Sequence, residues 1–239
     1  MDKYPVVILP GWLIGSARFE PLAQVFRDHG FPTFTVDFPG FETGEKLTRP
    51  LSLIDYVKFL NSFLRQKRIT KAVFVVHSFG GRVALKLLSQ EPQKGVALII
   101  SGTPGFQVMG PRKLIASLMA PIGKVISFVP PFIFFRKQLA QLLYRFSGTH
   151  DYYKTDGLLR ATFKNIISEP LVEYMKKIRL PVLLVWGRED RIVPLRVAHK
   201  MQETIHGARL VEIEHATHNF CYKNPEKFAQ PILEFLKTI

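Results

Sequence analysis

A serine, a histidine and a carboxylate together perform nucleophilic acyl transfer, and this chain offers one of each in a loop setting at Ser78, His218 and Asp190. Ser78 lies in His77-Ser78-Phe79-Gly80-Gly81, directly after the apolar run 73–76 and directly before a segment with Val83 and Leu87 at helical spacing. A serine in a sharp strand-to-helix turn is held in a strained backbone conformation, with its hydroxyl projecting beyond the carboxyl edge of a sheet. Glycines flank it because side chains would collide where strand and helix approach. The amide of Phe79, at the opening of that helix, is placed to stabilise an oxyanion, aided by the helix's positive end. Taken alone, the pentapeptide also reads as an ordinary turn with an exposed serine.

The company it keeps favours chemistry. After the apolar run 182–186 comes Gly187-Arg188-Glu189-Asp190, and after residues 210–213 comes His215-Ala216-Thr217-His218. A carboxylate after a late strand reaches a histidine on the next loop, fixes its tautomer and stabilises the imidazolium that forms when serine is deprotonated. Asp190 is preferred over Glu189, read as solvated, and His218 over His215 because it lies deeper in the loop. After the first apolar run, Pro10-Gly11-Trp12-Leu13 forms a turn beside the serine loop. Trp12 then supplies a second oxyanion amide, and Trp12, Leu13 and Phe79 line the substrate. His77 reads as structural, and Cys221 as a small buried residue rather than a thiol nucleophile. No cysteine, histidine and carboxylate cluster suggests a metal, and no glycine-rich phosphate loop suggests a cofactor.

These loops need a scaffold. Residues 6–9, 73–76, 96–100 and 182–186 are apolar runs rich in β-branched residues, which suit strands buried on both faces of a parallel sheet, and 34–36 and 210–213 add two shorter candidates. Between them the apolar period becomes helical: Phe19, Leu22, Ala23 and Phe26; Leu53, Tyr56, Val57, Leu60 and Leu64; Val83, Ala84, Leu87 and Leu88; Phe228, Ile232, Phe235 and Leu236. Ser52 with Asp55 resembles a capping box, Pro194 and Pro225 suit first helical turns, and Asn224 suits a cap. The alternation predicts an α/β fold: a doubly wound, mostly parallel sheet of about six strands in one domain, 1–239. At about 105–177 the rhythm breaks, which predicts a helical lid inserted over the sheet.

The four segments, in the order turn, serine elbow, acid and histidine, resemble the α/β-hydrolase superfamily, its serine esterase and lipase-like branch, over nearly the whole chain outside the insertion. Asp37-Phe38-Pro39-Gly40-Phe41, Gly187 with Asp190 and Pro194, and His218 with Asn224-Pro225-Glu226 and Phe235-Leu236 are similar to stretches of that family. Three positions differ: Val76 stands where the elbow usually has glycine, Pro10 where histidine is frequent, and Thr217 where glycine commonly precedes the histidine. The resemblance implies a Ser78–His218–Asp190 triad, and a serine at the elbow rather than a carboxylate argues against the dehalogenase and epoxide hydrolase branches. Carboxylic ester hydrolysis of small to medium-chain acyl or aromatic esters is the expectation, with Phe106, Phe128, Phe132, Phe134, Phe135 and Phe146 of the insertion roofing an acyl cleft. A lactonase, a carbon–carbon bond hydrolase or a perhydrolase would use the same triad, and Val76 is the one feature that favours a catalytically silent small-molecule receptor.

A length of 239 residues with 47% hydrophobic content supports one well-buried core. A single cysteine makes no internal disulfide and no export signal opens the chain, so a cytoplasmic location is expected. The balance of 33 basic against 19 acidic side chains, a net charge of +14, implies an anionic partner surface. Between Glu91 and Asp151 no acidic residue occurs, while Lys94, Arg112, Lys113, Lys124, Arg136, Lys137 and Arg145 do, so the expected partner beyond substrate is an anionic lipid surface or an acidic carrier protein. No nucleic-acid recognition motif accompanies the charge.

Overall fold

Strands buried on both faces must be apolar at nearly every position, and four segments satisfy this. They form β1 (Val6–Leu9), β3 (Ala72–His77), β4 (Gly95–Ser101) and β5 (Val182–Gly187), with the less buried β2 (Thr33–Thr35) and β6 (Arg209–Ile213) at the two edges. The computed structural model describes residues 3–106 and 157–239. Within them the six strands pair in the order β2-β1-β3-β4-β5-β6, every pairing parallel. The chain winds outward from β1 to β2 and returns to β3 on the other side of β1, so the switch point lies between β1 and β3.

Strand alternation divides the core in two. Val7 and Leu9 face a cluster completed by α2 (Leu53–Gln66) and α3 (Phe79–Gln90), together with α4 (Leu158–Ser168), α5 (Val172–Lys177) and α6 (Leu195–Thr204). Val6 and Ile8 face the other cluster, covered by α1 (Glu20–Asp28), the short α7 (Phe220–Lys223) and α8 (Pro225–Leu236). Each fully buried leucine or phenylalanine in these layers contributes about 1.5–3 kcal/mol. The Ser52 amide donates to Asp55 Oδ2 at 2.8 Å and sets the start of α2. Pro225 opens α8, whereas Pro194 stands one residue before α6 rather than inside its first turn, and Asn224 precedes α8 without a side-chain cap.

Of the insertion expected at 105–177, residues 107–156 lie outside the described residues, and with them Phe128, Phe132, Phe134, Phe135 and Phe146. The described return, 157–177, is helical, and the buried Arg82 of α3 holds it: Nη1 donates to the Pro104 carbonyl at 3.1 Å, and Nη2 to those of Ile166 and Glu169 at 2.7 and 2.6 Å. Burial lowers the Arg82 guanidinium to about 10, opposed by the Glu169 carboxylate, so it stays cationic at neutral pH. Among the described residues no helix is long and apolar enough to cross a membrane.

Candidate active site

Because all strands run parallel, the loops after β1, β3, β4, β5 and β6 leave from one edge, and they carry Trp12, Ser78, Gly102, Asp190 and His218. Ser78 has φ +49° and ψ −109°, a conformation that costs a non-glycine residue energy and persists only when its surroundings impose it. The Ser78 amide donates to the Ser101 carbonyl at 2.9 Å, and the Gly80 amide to the Pro10 carbonyl at 3.0 Å, tying the elbow to β4 and to the β1 loop. A methyl on Gly80 would overlap the Leu9 carbonyl, and one on Gly81 the Thr103 side chain. Both glycines are demanded by close approach. Val76 is buried in the core, in register with Leu9 and Ile100, and the elbow forms with it in place.

Asp190 is fixed before any substrate arrives. Its Oδ1 accepts the amides of Ile192 and Val193 at 2.9 and 2.8 Å, and the Trp186 indole closes the same loop on the Val193 carbonyl at 2.9 Å. The other oxygen, Oδ2, lies 2.7 Å from His218 Nδ1, with both residues buried. The acid and histidine loops are stapled through the main chain, the Glu189 amide donating to Ala216 at 3.0 Å, and a side chain on Gly187 would overlap that carbonyl. His215 and Glu189 pair with each other instead, at 3.2 Å, with the His215 side chain 87% exposed. The His218 ring rests against Gly102: a Cβ there would lie 2.7 Å from His218 Cε1. Ser101, the neighbour of Gly102, binds the Ser78 amide, so the His218 ring and the Ser78 elbow share one support.

The Ser78 hydroxyl is half-buried and makes no hydrogen bond among the described residues. The amides of Trp12 and Phe79 likewise donate to no carbonyl there, Phe79 because it opens α3. Amides left without a carbonyl partner on the loops that follow β1 and β3 can receive negative charge developing on a carbonyl oxygen. The Trp12 ring meets Phe41, Phe79 and Phe163 at centroid distances of 5.1, 5.6 and 5.1 Å, and Leu13 follows at φ +57°. Cys221 is wholly buried and burial pushes its thiol up, so it stays protonated. Among the described residues no group of three histidine, cysteine or carboxylate side chains is arranged to hold a metal ion.

The family model for the alpha/beta hydrolase fold matches residues 4–225. The chain belongs to the α/β-hydrolase family. Similar proteins include an uncharacterized hydrolase, YugF, of Bacillus subtilis (strain 168), 22% identical over 98% of this chain and 90% of the relative. A 2-hydroxy-6-oxononadienedioate/2-hydroxy-6-oxononatrienedioate hydrolase of Pseudomonas sp is 23% identical over 93% of this chain and 83% of its own length. Among solved structures, the enol-lactonase from Burkholderia xenovorans LB400 has the same fold, with a TM-score of 0.71 at 19% identity, covering 98% of this chain and 92% of that one. Homologues of this breadth make the present α/β-hydrolase an enzyme of the hydrolase class.

In this α/β-hydrolase, sequence reasoning missed Gly102 and Phe163. Gly102 ends the apolar run of β4 at φ +59°, and a glycine just past a strand was the available signal. Phe163 sits on α4, and nothing near it in the chain points to Trp12.

Proposed function

We propose that this α/β-hydrolase cleaves carboxylic esters through an acyl-enzyme on Ser78, with His218 as base and Asp190 as the acid that orients it. As Ser78 Oγ attacks the ester carbonyl, His218 Nε2 takes its proton, and the amides of Trp12 and Phe79 hydrogen-bond the oxyanion. Collapse of the tetrahedral intermediate sends that proton to the departing alcohol. A water then attacks the acyl group with His218 again as base, releasing acid and free serine. The observation that carries this reading is the 2.7 Å bond between Asp190 Oδ2 and His218 Nδ1, at the same sheet edge as a serine hydroxyl engaged elsewhere by nothing described. A carboxylate on Nδ1 leaves Nε2 as the basic nitrogen.

The aromatic wall of Trp12, Phe41, Phe79 and Phe163 supports an acyl or aromatic group of small to medium length as the bound moiety. A chain-length series of p-nitrophenyl esters tests the reading with wild type and Ser78→Ala. Turnover of the wild type should be lost by roughly a thousandfold or more in the variant. Equal rates for the two proteins would remove Ser78 from the mechanism. Lactone opening is the second reading, favoured by the likeness to an enol-lactonase, and a lactone panel beside the esters separates the two by relative kcat/KM.

A further inference from the structure

His77 takes no part in the steps above, yet it is 2% exposed and neither ring nitrogen has a hydrogen-bond partner among the described residues. Burial, reinforced by the neighbouring His218, keeps the ring neutral against the opposing pull of the nearby Ser101 main chain, which does not reach hydrogen-bond geometry. A ring that bonds through neither nitrogen acts by its shape, and its surroundings show what the shape does. Its centroid is 4.7 Å from that of His218, with the planes tilted by 53°. On one side, a Cβ on Gly11 would lie 3.0 Å from His77 Cδ2; on the other, a Cβ on Gly102 would lie 3.2 Å from His77 Cε1. Phe19 and Tyr222 close the remaining faces at 6.2 and 6.0 Å. One ring, on the residue joined to Ser78 in the chain, therefore spans from the loop of Trp12 to the His218 ring.

We propose that His77 is a positioning residue: its flat ring, wedged between Gly11 and Gly102, sets the spacing between the Trp12 loop, the Ser78 elbow and the His218 imidazole. The proposal rests on the triad reading above, so its test includes a readout that needs no turnover. His77→Asn reproduces the inner half of the ring but lacks the outer edge, whose Cε1 reaches toward Gly102. His77→Phe keeps a flat ring across the gap and removes both nitrogens.

The measurements are kcat and KM on the preferred p-nitrophenyl ester, and the low-field proton NMR signal of the His218 Nδ1 proton shared with Asp190. His77→Asn should lower kcat by about tenfold to a hundredfold, the cost of a displacement near 1 Å, with KM changed less than about twofold, and should broaden or shift the signal. His77→Phe should keep kcat within about fivefold and keep the signal. Unchanged kcat and signal in His77→Asn would overturn the proposal. So would a loss in His77→Phe as large as in His77→Asn, since the nitrogens rather than the ring's span would then be what matters. Should His77→Asn not fold, His77→Phe decides alone, by retention or loss. A wild type without ester turnover but with the predicted NMR pattern would refute the ester reading and leave the positioning role standing.

Discussion

Asp190 divides its two oxygens between tasks, one holding its own loop through the amides of Ile192 and Val193, the other holding His218. An amide at this position keeps the shape but presents the wrong partner to Nδ1, so Asp190→Asn should cut kcat by about a thousandfold to ten-thousandfold, with the fold intact by circular dichroism. His215→Ala is the matched control, since that ring is solvent-exposed and pairs with Glu189, and it should stay within about twofold of wild type. Loss of activity in the control, or none in Asp190→Asn, would misplace the acid–base pair. The choice of a carboxylate here rested on position after a late strand, with Glu189 read as solvated, and the choice of His218 rested on depth in its loop. Both are local properties, which is why they were legible. The support beneath them was not, because Gly102 meets His218 across more than a hundred residues of chain and only the folded sheet brings them together.

At the scale of elements, the site is built from close approaches that glycines permit. A methyl on Gly80 would strike the Leu9 carbonyl, so Gly80→Ala must push α3 away from β1 and with it the Phe79 amide. The expected cost is about 1–3 kcal/mol of stability, read as a fall in Tm, together with a drop in kcat larger than the rise in KM. An unchanged Tm would show that the elbow and β1 are not packed as described. The strands were the most legible elements, since β1, β3, β4 and β5 are apolar at nearly every position and rich in β-branched residues, the pattern of strands covered on both faces. A helical insertion was expected, but the way α4 is docked was not legible, because polar and distant bonds add to its apolar packing: Arg82 reaches the carbonyls of Ile166 and Glu169, and Thr162 Oγ1 accepts the Leu51 amide at 2.9 Å. A hydropathy pattern does not encode such bonds.

For the whole molecule, the net charge of +14 and the cationic composition between Glu91 and Asp151 support a proposed attraction to anionic lipid or to an acidic carrier protein, one that salt would screen. Sedimentation with anionic and with neutral vesicles checks the lipid arm: binding to the anionic vesicles alone, lost at high salt, is expected, and equal negligible binding to both would end it. The fold positions five loops at one edge, and the central claim is that this edge turns one serine into a nucleophile. The most direct measurement is intact-protein mass spectrometry after exposure to a fluorophosphonate, followed by peptide mapping. A single phosphonyl adduct on Ser78, absent in Ser78→Ala and strongly slowed in Asp190→Asn, is the predicted result. An unmodified protein under conditions that label a known serine esterase, or an adduct mapped to any other residue, would contradict it.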